Sequence, residues 1–469
     1  MKRKAVQFIL LVSFSLSPLA LPAQDKGRAE LWLTTAGRSS LLAHRPNPLR
    51  FEKRDEKVSV IDVDDKQTYQ SMEGFGFALT GGSAQLMMRM SPSSRSALLK
   101  ELFGQGKDEI GVSYLRVSIG SSDMNDHVFT YDDVPEGQTD PNLSKFNLGP
   151  DRDDVIPVLK EILAINPRIK ILGSPWTAPS WMKTNDNPKD GNLKPDYYAA
   201  YAQYFVKYIS AMKAEGITID AITVQNEPLN GKNTPSMVMQ ATDQDRFIRE
   251  NLGPAFRRTG ITTKIILYDH NCDVPEYPLT TLNDAPAAQF VDGSGFHLYG
   301  GNVDAMTQVH DAHPDKNIYF TEQMVVDRHD DPKLHIASAL SRVLVGATRN
   351  WSRNVLLWNL AADPQFGPHT DNGGCPVCEG AITLEGNQVT RNIAYYTIAH
   401  VSKFVPPGSV RIGSNTLESL PNVAFKTPAN KIVLIVANPG DVDQTFAIRF
   451  HGRSITSTLQ SGSVGTFVW

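Results

Sequence analysis

The chain has 469 residues, and 46 Lys and Arg against 50 Asp and Glu give a formal charge of −4. Hydrophobic residues make up 41% and charged residues 20%, a globular balance that excludes a mostly disordered chain. Near-neutral charge leaves no electrostatic footprint for nucleic acid.

Met1-Lys-Arg-Lys4 is a basic start, residues 5–21 carry no charge, and the small Ala23 follows. That order predicts a secretory signal peptide over residues 1–23, hence an exported protein: periplasmic, at the cell surface or released. The competing reading, a membrane anchor, is opposed by Ser13, Ser15, Ser17 and Pro18, which interrupt a run already short for a span of about 20 residues. No later stretch reads as a stable membrane span.

Residues 24–71 include the alternating Val58-Ser-Val-Ile-Asp-Val63, a strand pattern. From residue 72 to 404, eight short apolar runs recur, at 73–80, 113–120, 170–176, 221–227, 264–271, 293–299, 317–323 and 354–360. Helical patterns separate them. Residues 196–215 place Tyr197, Tyr201, Tyr204, Phe205, Tyr208 and Met212 at three- and four-residue steps, and 332–349 and 387–404 have similar character. Strand alternating with helix predicts parallel pairing, and eight such units predict a (β/α)8 TIM barrel of the α/β class. Residues 405–469 return to short runs broken by Asn-Pro-Gly and His-Gly turns. These are read as antiparallel strands that join residues 24–71 in a side β-sandwich formed from both chain ends.

The barrel runs start apolar and finish polar or aromatic: Trp176, Asn226, Glu227, His297, Tyr299, Glu322, Trp358. Reactive groups of such barrels sit at the C-terminal strand ends, and a core strand that ends in a carboxylate needs a reason, because an unpaired buried charge is costly. The fourth and seventh runs end that way, at Glu227 and Glu322. Two carboxylates over one cleft are what glycosidic bond cleavage needs: one protonates the leaving oxygen, the other attacks the anomeric carbon or directs water to it.

At this point the chain resembles glycoside hydrolase family 30, which contains glucosylceramidases and endo-β-1,6-glucanases. The matching stretches are Gly74-Phe-Gly-Phe-Ala-Leu-Thr80, Leu115-Arg-Val-Ser-Ile-Gly-Ser-Ser-Asp123, Ser174-Pro-Trp-Thr-Ala-Pro-Ser-Trp-Met-Lys183, Val224-Gln-Asn-Glu-Pro228, His297-Leu-Tyr299, Thr321-Glu322 and Trp358-Asn-Leu-Ala361. The resemblance implies Glu227 as general acid/base and Glu322 as nucleophile. It implies a sugar pocket made by Asp123, Trp176, Asn226, His297, Tyr299 and Trp358, with Arg116 beneath the nucleophile, and no catalytic metal or other cofactor. Many relatives carry Gly-Gly-Ala-Phe-Thr-Asp at the first strand, where this chain has Phe77, Leu79 and then Gly81-Gly82.

These roles set electrostatic expectations. Arg116 should lower the pKa of Glu322, and an apolar or anionic setting should raise that of Glu227. The expected partner is a β-linked glucan or glucoside, foremost β-1,6-linked glucan. The alternatives are glucosylceramide-like lipid, a carbohydrate-binding protein without catalysis, and a metal-dependent hydrolase using His297 and His270. The three cysteines leave several readings open. Cys375 and Cys378 could form a loop disulfide, stay free, or serve metal or redox chemistry, with Cys272 apart. Residues 367–375 are expected to wall the cleft, with His369 and Asp371 either on distal sugars or in solvent. Trp181 is divided between core packing and sugar stacking, and His310 with His313 reads as a surface pair rather than a metal site.

Overall fold

The structure, a computed structural model, describes residues 27–53, 57–327 and 331–469; the expected signal peptide over residues 1–23 lies outside them. Eight parallel strands close into a barrel. They are β1 Gly74–Leu79, β2 Tyr114–Ser118, β3 Lys170–Ser174, β4 Ala221–Thr223, β5 Lys264–Cys272, β6 Val291–Gly301, β7 Asn317–Glu322 and β8 Ser352–Leu357. Each pairs with the next in sequence, and β8 closes on β1 from Asn354 opposite Gly74 to Leu357 opposite Phe77. Tyr114, Leu172, Ala221, Ile266, Tyr319 and Leu356 fill the interior, while the outward residues join the core beneath the helices. Burial on both faces explains why the strands read as unbroken apolar runs. At the N-terminal end the buried Glu73 accepts hydrogen bonds from Lys170 (3.1 Å) and Lys264 (2.9 Å), which closes the barrel floor with a paired charge.

Two strands stop three or more residues earlier than the sequence pattern suggests, at Thr223 rather than 227 and at Leu357 rather than 360. Past Thr223 the backbone N–H of Asn226 goes to Pro175 O and that of Glu227 to Asp269 O. These bonds turn the chain out of the ladder, and Glu227 takes a left-handed φ of 46°, a conformation that costs about 1–3 kcal/mol and persists only where its surroundings fix it.

The helix expected over 196–215 forms as Tyr198–Ala214 after a short 3-10 turn, with Tyr201, Tyr204, Phe205, Tyr208 and Met212 buried. The helix expected over 332–349 begins only at Ile336. The one expected over 387–404 is shorter still, Ile393–Ser402. Its start is instead the strand Gln388–Arg391, which pairs antiparallel with Ile382–Glu385 across Gly386 and Asn387. Gly386 has φ 59°, and a two-residue loop containing glycine favours a hairpin over a helix start.

The side β-sandwich does join both chain ends. The strand Arg28–Thr34 lies antiparallel to the last strand, Val464–Val468, and Ser59–Ser71 pairs with Val410–Ser414. One pairing departs from the antiparallel expectation: Gln444–Phe450 runs parallel to Ser59–Ser71. The whole barrel separates those two segments in sequence, so no hairpin constrains their direction. Along Ile432–Ala437, Ile432, Leu434 and Val436 face the sandwich core, while Val433, Ile435 and Ala437 join the barrel's core. Strand alternation thus welds the two bodies together. No helix among the described residues is long and apolar enough to cross a membrane.

Candidate active site

A cavity of about 400 Å³ opens at the C-terminal ends of the strands, lined by Asp123, Trp176, Asn226, Glu227, Tyr299, Glu322 and Trp358 among others. Seven of the nine residues singled out from the sequence therefore border one space. The other two lie beneath it. Arg116, inside β2, is wholly buried, and so is His297, inside β6. His297 was expected in the pocket wall. Both of its ring nitrogens are instead taken up by carboxylates below the floor, Nδ1 facing Glu227 Oε1 at 3.2 Å and Nε2 facing Asp269 Oδ1 at 3.0 Å.

The two glutamates keep different company. Glu322 accepts from Arg116 Nη1 at 2.6 Å and from the Tyr299 hydroxyl at 3.0 Å. The Tyr299 oxygen in turn accepts the Met324 N–H at 3.0 Å. Glu227 accepts from Asn230 Nδ2 at 2.7 Å, besides its contact with His297. Arg116 also donates to Asn226 Oδ1 at 2.6 Å and to Asp269 Oδ2 at 2.8 Å. Its guanidinium lies 4.8 Å from the Trp176 ring centre, and Trp358 packs on the same indole at 5.4 Å. The faces of Trp176 are thereby engaged, while its buried indole N–H finds no partner among the described residues. A buried donor without a partner is costly.

Arg116 does pull the Glu322 carboxyl down, as expected, but the net shifts of both glutamates run opposite to the sequence expectation. Burial raises the Glu322 carboxyl above its ordinary range, and the charges of His297 and Arg116 offset that only in part. Burial would also raise Glu227, but the hydrogen bond and charge of His297, with His270 and Asn230, draw it down to about 2. The reason is the imidazole. Burial alone would lower the pKa of His297, yet Glu322, Asp269 and Glu227 around it lift it to about 9. Burial and the two glutamates push Asp123 up to about 8, so it carries a proton at neutral pH and can donate as well as accept.

Glu227, His297 and Glu322 bring ligand-type atoms within 4.8 Å of one another. The set does not suit a cation: the Arg116 guanidinium already occupies Glu322, and a protonated imidazole has no lone pair to offer. The other metal-type reading also dissolves, since His310 stacks on Trp351 at 3.7 Å while His313 bonds Asn283. Trp181 is a packing residue, buried and donating to Asp132 O at 3.0 Å.

Several site residues escaped sequence reasoning. Asn230, Asn233 and Asn271 line the cavity, as does His270, which the sequence offers only as a metal ligand, and Asp269 lies under it; the signal for Asp269 was present as a carboxylate late in an apolar run. One cavity wall comes from the segment after β8. Gly373, Gly374, Cys375 and Cys378 border the cavity, and Cys375 and Cys378 form a disulfide. His369 and Asp371 do not line it. Gly82 lets this segment approach, since a Cβ there would stand 2.9 Å from Pro368 O and 2.7 Å from Met124 O. Cys378 packs with Ala78, Met124, Trp176 and Trp358, so the disulfide holds its wall against the two indoles. Closing so short a loop contributes about 2 kcal/mol by chain entropy. Reduction, or Cys375→Ser with Cys378→Ser, is therefore expected to raise KM severalfold while moving the melting temperature by only a few degrees. Steady-state assays with and without reductant, beside a thermal melt, check this.

A larger cavity of about 920 Å³ lies between barrel and sandwich. Of its charged residues, Glu101 is bound by Arg391 and Tyr395, and Lys403 donates to the carbonyls of Lys107 and Glu109.

Paired buried glutamates after strands four and seven of a closed barrel, beneath a sugar-sized cavity, define the glycosidase class of (β/α)8 proteins. The chain belongs to glycosyl hydrolase family 30: residues 72–405 match its TIM-barrel domain and residues 408–467 its beta sandwich domain. It is a glycoside hydrolase. It is 35% identical over 442 residues to an endo-1,6-beta-D-glucanase of Aspergillus fumigatus, covering 88% of each chain. To the lysosomal acid glucosylceramidase of Mus musculus it is 27% identical, covering 87% of this chain and 83% of that one. The solved structure of an endo-beta1,6-glucanase superposes with a TM-score of 0.87 at 34% identity, covering 94% of this chain and 99% of the other.

Proposed function

We propose that the chain is an exported, retaining hydrolase of β-1,6-linked glucan, with Glu322 as nucleophile and Glu227 as general acid/base. The observation that carries this reading is the closeness of the pair. One oxygen of Glu227 lies within 4.8 Å of one oxygen of Glu322, an approach that supports the short, ~5–5.5 Å carboxyl spacing of retaining enzymes. The donors around each glutamate support the division of roles. Arg116 and Tyr299 hold both oxygens of Glu322 and favour its ionised form. Glu227 instead touches His297, a group that can give it a proton.

In the first step Glu322 attacks the anomeric carbon, and the glycosidic bond breaks as Glu227 protonates the departing oxygen. Water then attacks the glycosyl ester while Glu227 accepts its proton, and Glu322 leaves as carboxylate. Two inversions return the starting configuration. Asn226 has its amide oxygen bound to Arg116, which leaves its NH2 for the sugar 2-hydroxyl. The protonated Asp123, on the cavity wall, serves another ring hydroxyl.

The choice of glucan rests on the higher identity to endo-1,6-glucanases and on a polar cavity lining, to which Asn230, Asn233, His270 and Asn271 contribute, suited to a second sugar rather than an alkyl chain. Export is supported by the leader-like first 23 residues and by the disulfide, a bond of oxidising compartments.

A mechanism-based 2-fluoroglucoside should label Glu322, and proton NMR of early products should show retained configuration. A label on Glu227 would exchange the roles, and inverted products would overturn the mechanism. The enzyme should hydrolyse pustulan in preference to a glucosylated lipid; no action on pustulan would overturn the substrate.

A further inference from the structure

Asp269 is the most heavily engaged side chain in the site and has no assigned task. It lies within β5 at a left-handed φ of 63°, following Tyr268 at 67°, and is wholly buried. Its Oδ2 accepts from Arg116 Nη2 (2.8 Å), Ser174 Oγ (2.7 Å) and Thr223 Oγ1 (2.7 Å). Its Oδ1 accepts from Thr321 Oγ1 (2.6 Å) and meets His297 Nε2 at 3.0 Å. Strands β2, β3, β4, β6 and β7 or the residue just before a strand end thus all donate to one carboxylate. An anion with five donors remains an anion, and Asp269 is held well below the usual carboxylate range by Arg116 and His297 against its burial. Because it can only accept, His297 Nε2 must carry hydrogen, and Nδ1 is the nitrogen left to face Glu227.

We infer that Asp269 is a positioning residue for the proton chemistry: it fixes His297 with Nδ1 toward Glu227 and makes the imidazole the store from which the acid/base glutamate is charged. This rests on the reading of Glu227 as acid/base. The step is a single proton transfer over 3.2 Å. An imidazolium and a carboxylate become a neutral imidazole, still donating from Nε2 to Asp269, and a carboxylic acid. Glu227 passes that proton to the departing oxygen, and the water of the second step returns one to it. The pair titrates as a unit. The depressed Glu227 and the elevated His297 are then two faces of one shared proton, which the pair holds up to about 9. The charged or titratable groups facing His297 are Glu227 after β4, Asp269 and His270 from β5, Tyr299 from β6 and Glu322 from β7; Arg116 from β2 bonds the same Asp269 and Glu322, and the charges of Glu227 and Glu322 reach Asp123 after β2.

The test is the near-isosteric Asp269→Asn, read on the pH profile of kcat/KM. The basic limb reports loss of the shared proton. Removing the negative charge of Asp269 weakens the hold on that proton, so the limb should move to lower pH by a unit or more, about tenfold in its dissociation constant. A lower rate with an unmoved basic limb would make Asp269 a structural partner only and overturn the inference. Nitrogen NMR of His297 in the unmodified enzyme decides the matter even if the variant does not fold. The expected result is hydrogen at Nε2 in the neutral form and a midpoint matching the basic limb. Hydrogen at Nδ1, or titration below pH 7, overturns it. Fluoroglucoside labelling keeps the two ideas apart: a label on Glu322 with an unmoved limb sinks the inference alone, and a label on Glu227 sinks the assignment beneath it.

Discussion

Glu322→Gln is expected to lower kcat on pustulan by about four orders of magnitude or more, roughly 5 kcal/mol of barrier at 1.36 kcal/mol per tenfold, with substrate binding nearly unchanged. The substitution keeps shape and one acceptor oxygen, so either the Arg116 or the Tyr299 contact survives. What it removes is the oxygen that forms the covalent ester. With no ester, single-turnover mixing should show no burst, and the fluoroglucoside should leave the protein unlabelled. Added azide should not restore hydrolysis with retained configuration, because it attacks the sugar once and inverts it. Recovery of retaining turnover with azide, or a loss below about tenfold, would remove Glu322 from the nucleophile role. The raised carboxyl of Glu322 has a further consequence. The group must be ionised to attack, so the acid limb of the wild-type profile should lie above the ordinary glutamate value of 4.5, and activity should fall as pH drops through it.

The sequence disclosed the parts of the site that obey a one-dimensional rule. Barrel strands end in the residues that face the cavity, so Trp176, Glu322 and Trp358 were visible as polar or aromatic terminations of apolar runs. The sandwich built from both ends was legible because turn residues punctuate its strands. The parallel pairing of Gln444–Phe450 with Ser59–Ser71 was not, since contacts between segments nearly 400 residues apart leave no local trace. The rule that exposed Glu227 and Glu322 also applied to Asp269, which sits late in the run 264–271. Asp269 is hidden because it stands two places before the end of that run, where the strand-end rule no longer marks it. His297 illustrates a different limit. Its place on β6 was legible, but whether a side chain reaches the cavity or stops beneath it depends on the register shift between Phe296 and His297, which sequence does not carry.

The electrostatic expectation failed for a related reason. Reasoning from pairs gives Glu322 a cation and Glu227 an apolar or anionic setting. The folded chain places one imidazole between three carboxylates, with His297 Nδ1 at 3.2 Å from Glu227 and 3.8 Å from Glu322. Once an imidazole that can be charged is shared in this way, the charge state of either glutamate is a property of the cluster.

That cluster determines what should happen when Glu227 is shortened. Glu227→Ala is expected to slow pustulan hydrolysis by about three orders of magnitude, within the 10²–10⁴ range of general acid/base catalysis. An activated aryl β-glucoside should lose far less in its first step, because its phenolate departs without a proton. On such substrates the glycosyl-enzyme should accumulate, lowering KM along with kcat, since the water of the second step has lost its base. Azide needs no base. Entering where the carboxylate stood, it should restore turnover of the aryl glucoside and give a glucosyl azide of retained configuration, detectable by proton NMR. The variant should also lose the wild-type basic limb, as His297 Nδ1 no longer has an oxygen to charge. Equal losses on pustulan and the aryl glucoside would contradict proton donation by Glu227. An inverted azide product would place the nucleophile at residue 227 and reverse the roles of the pair.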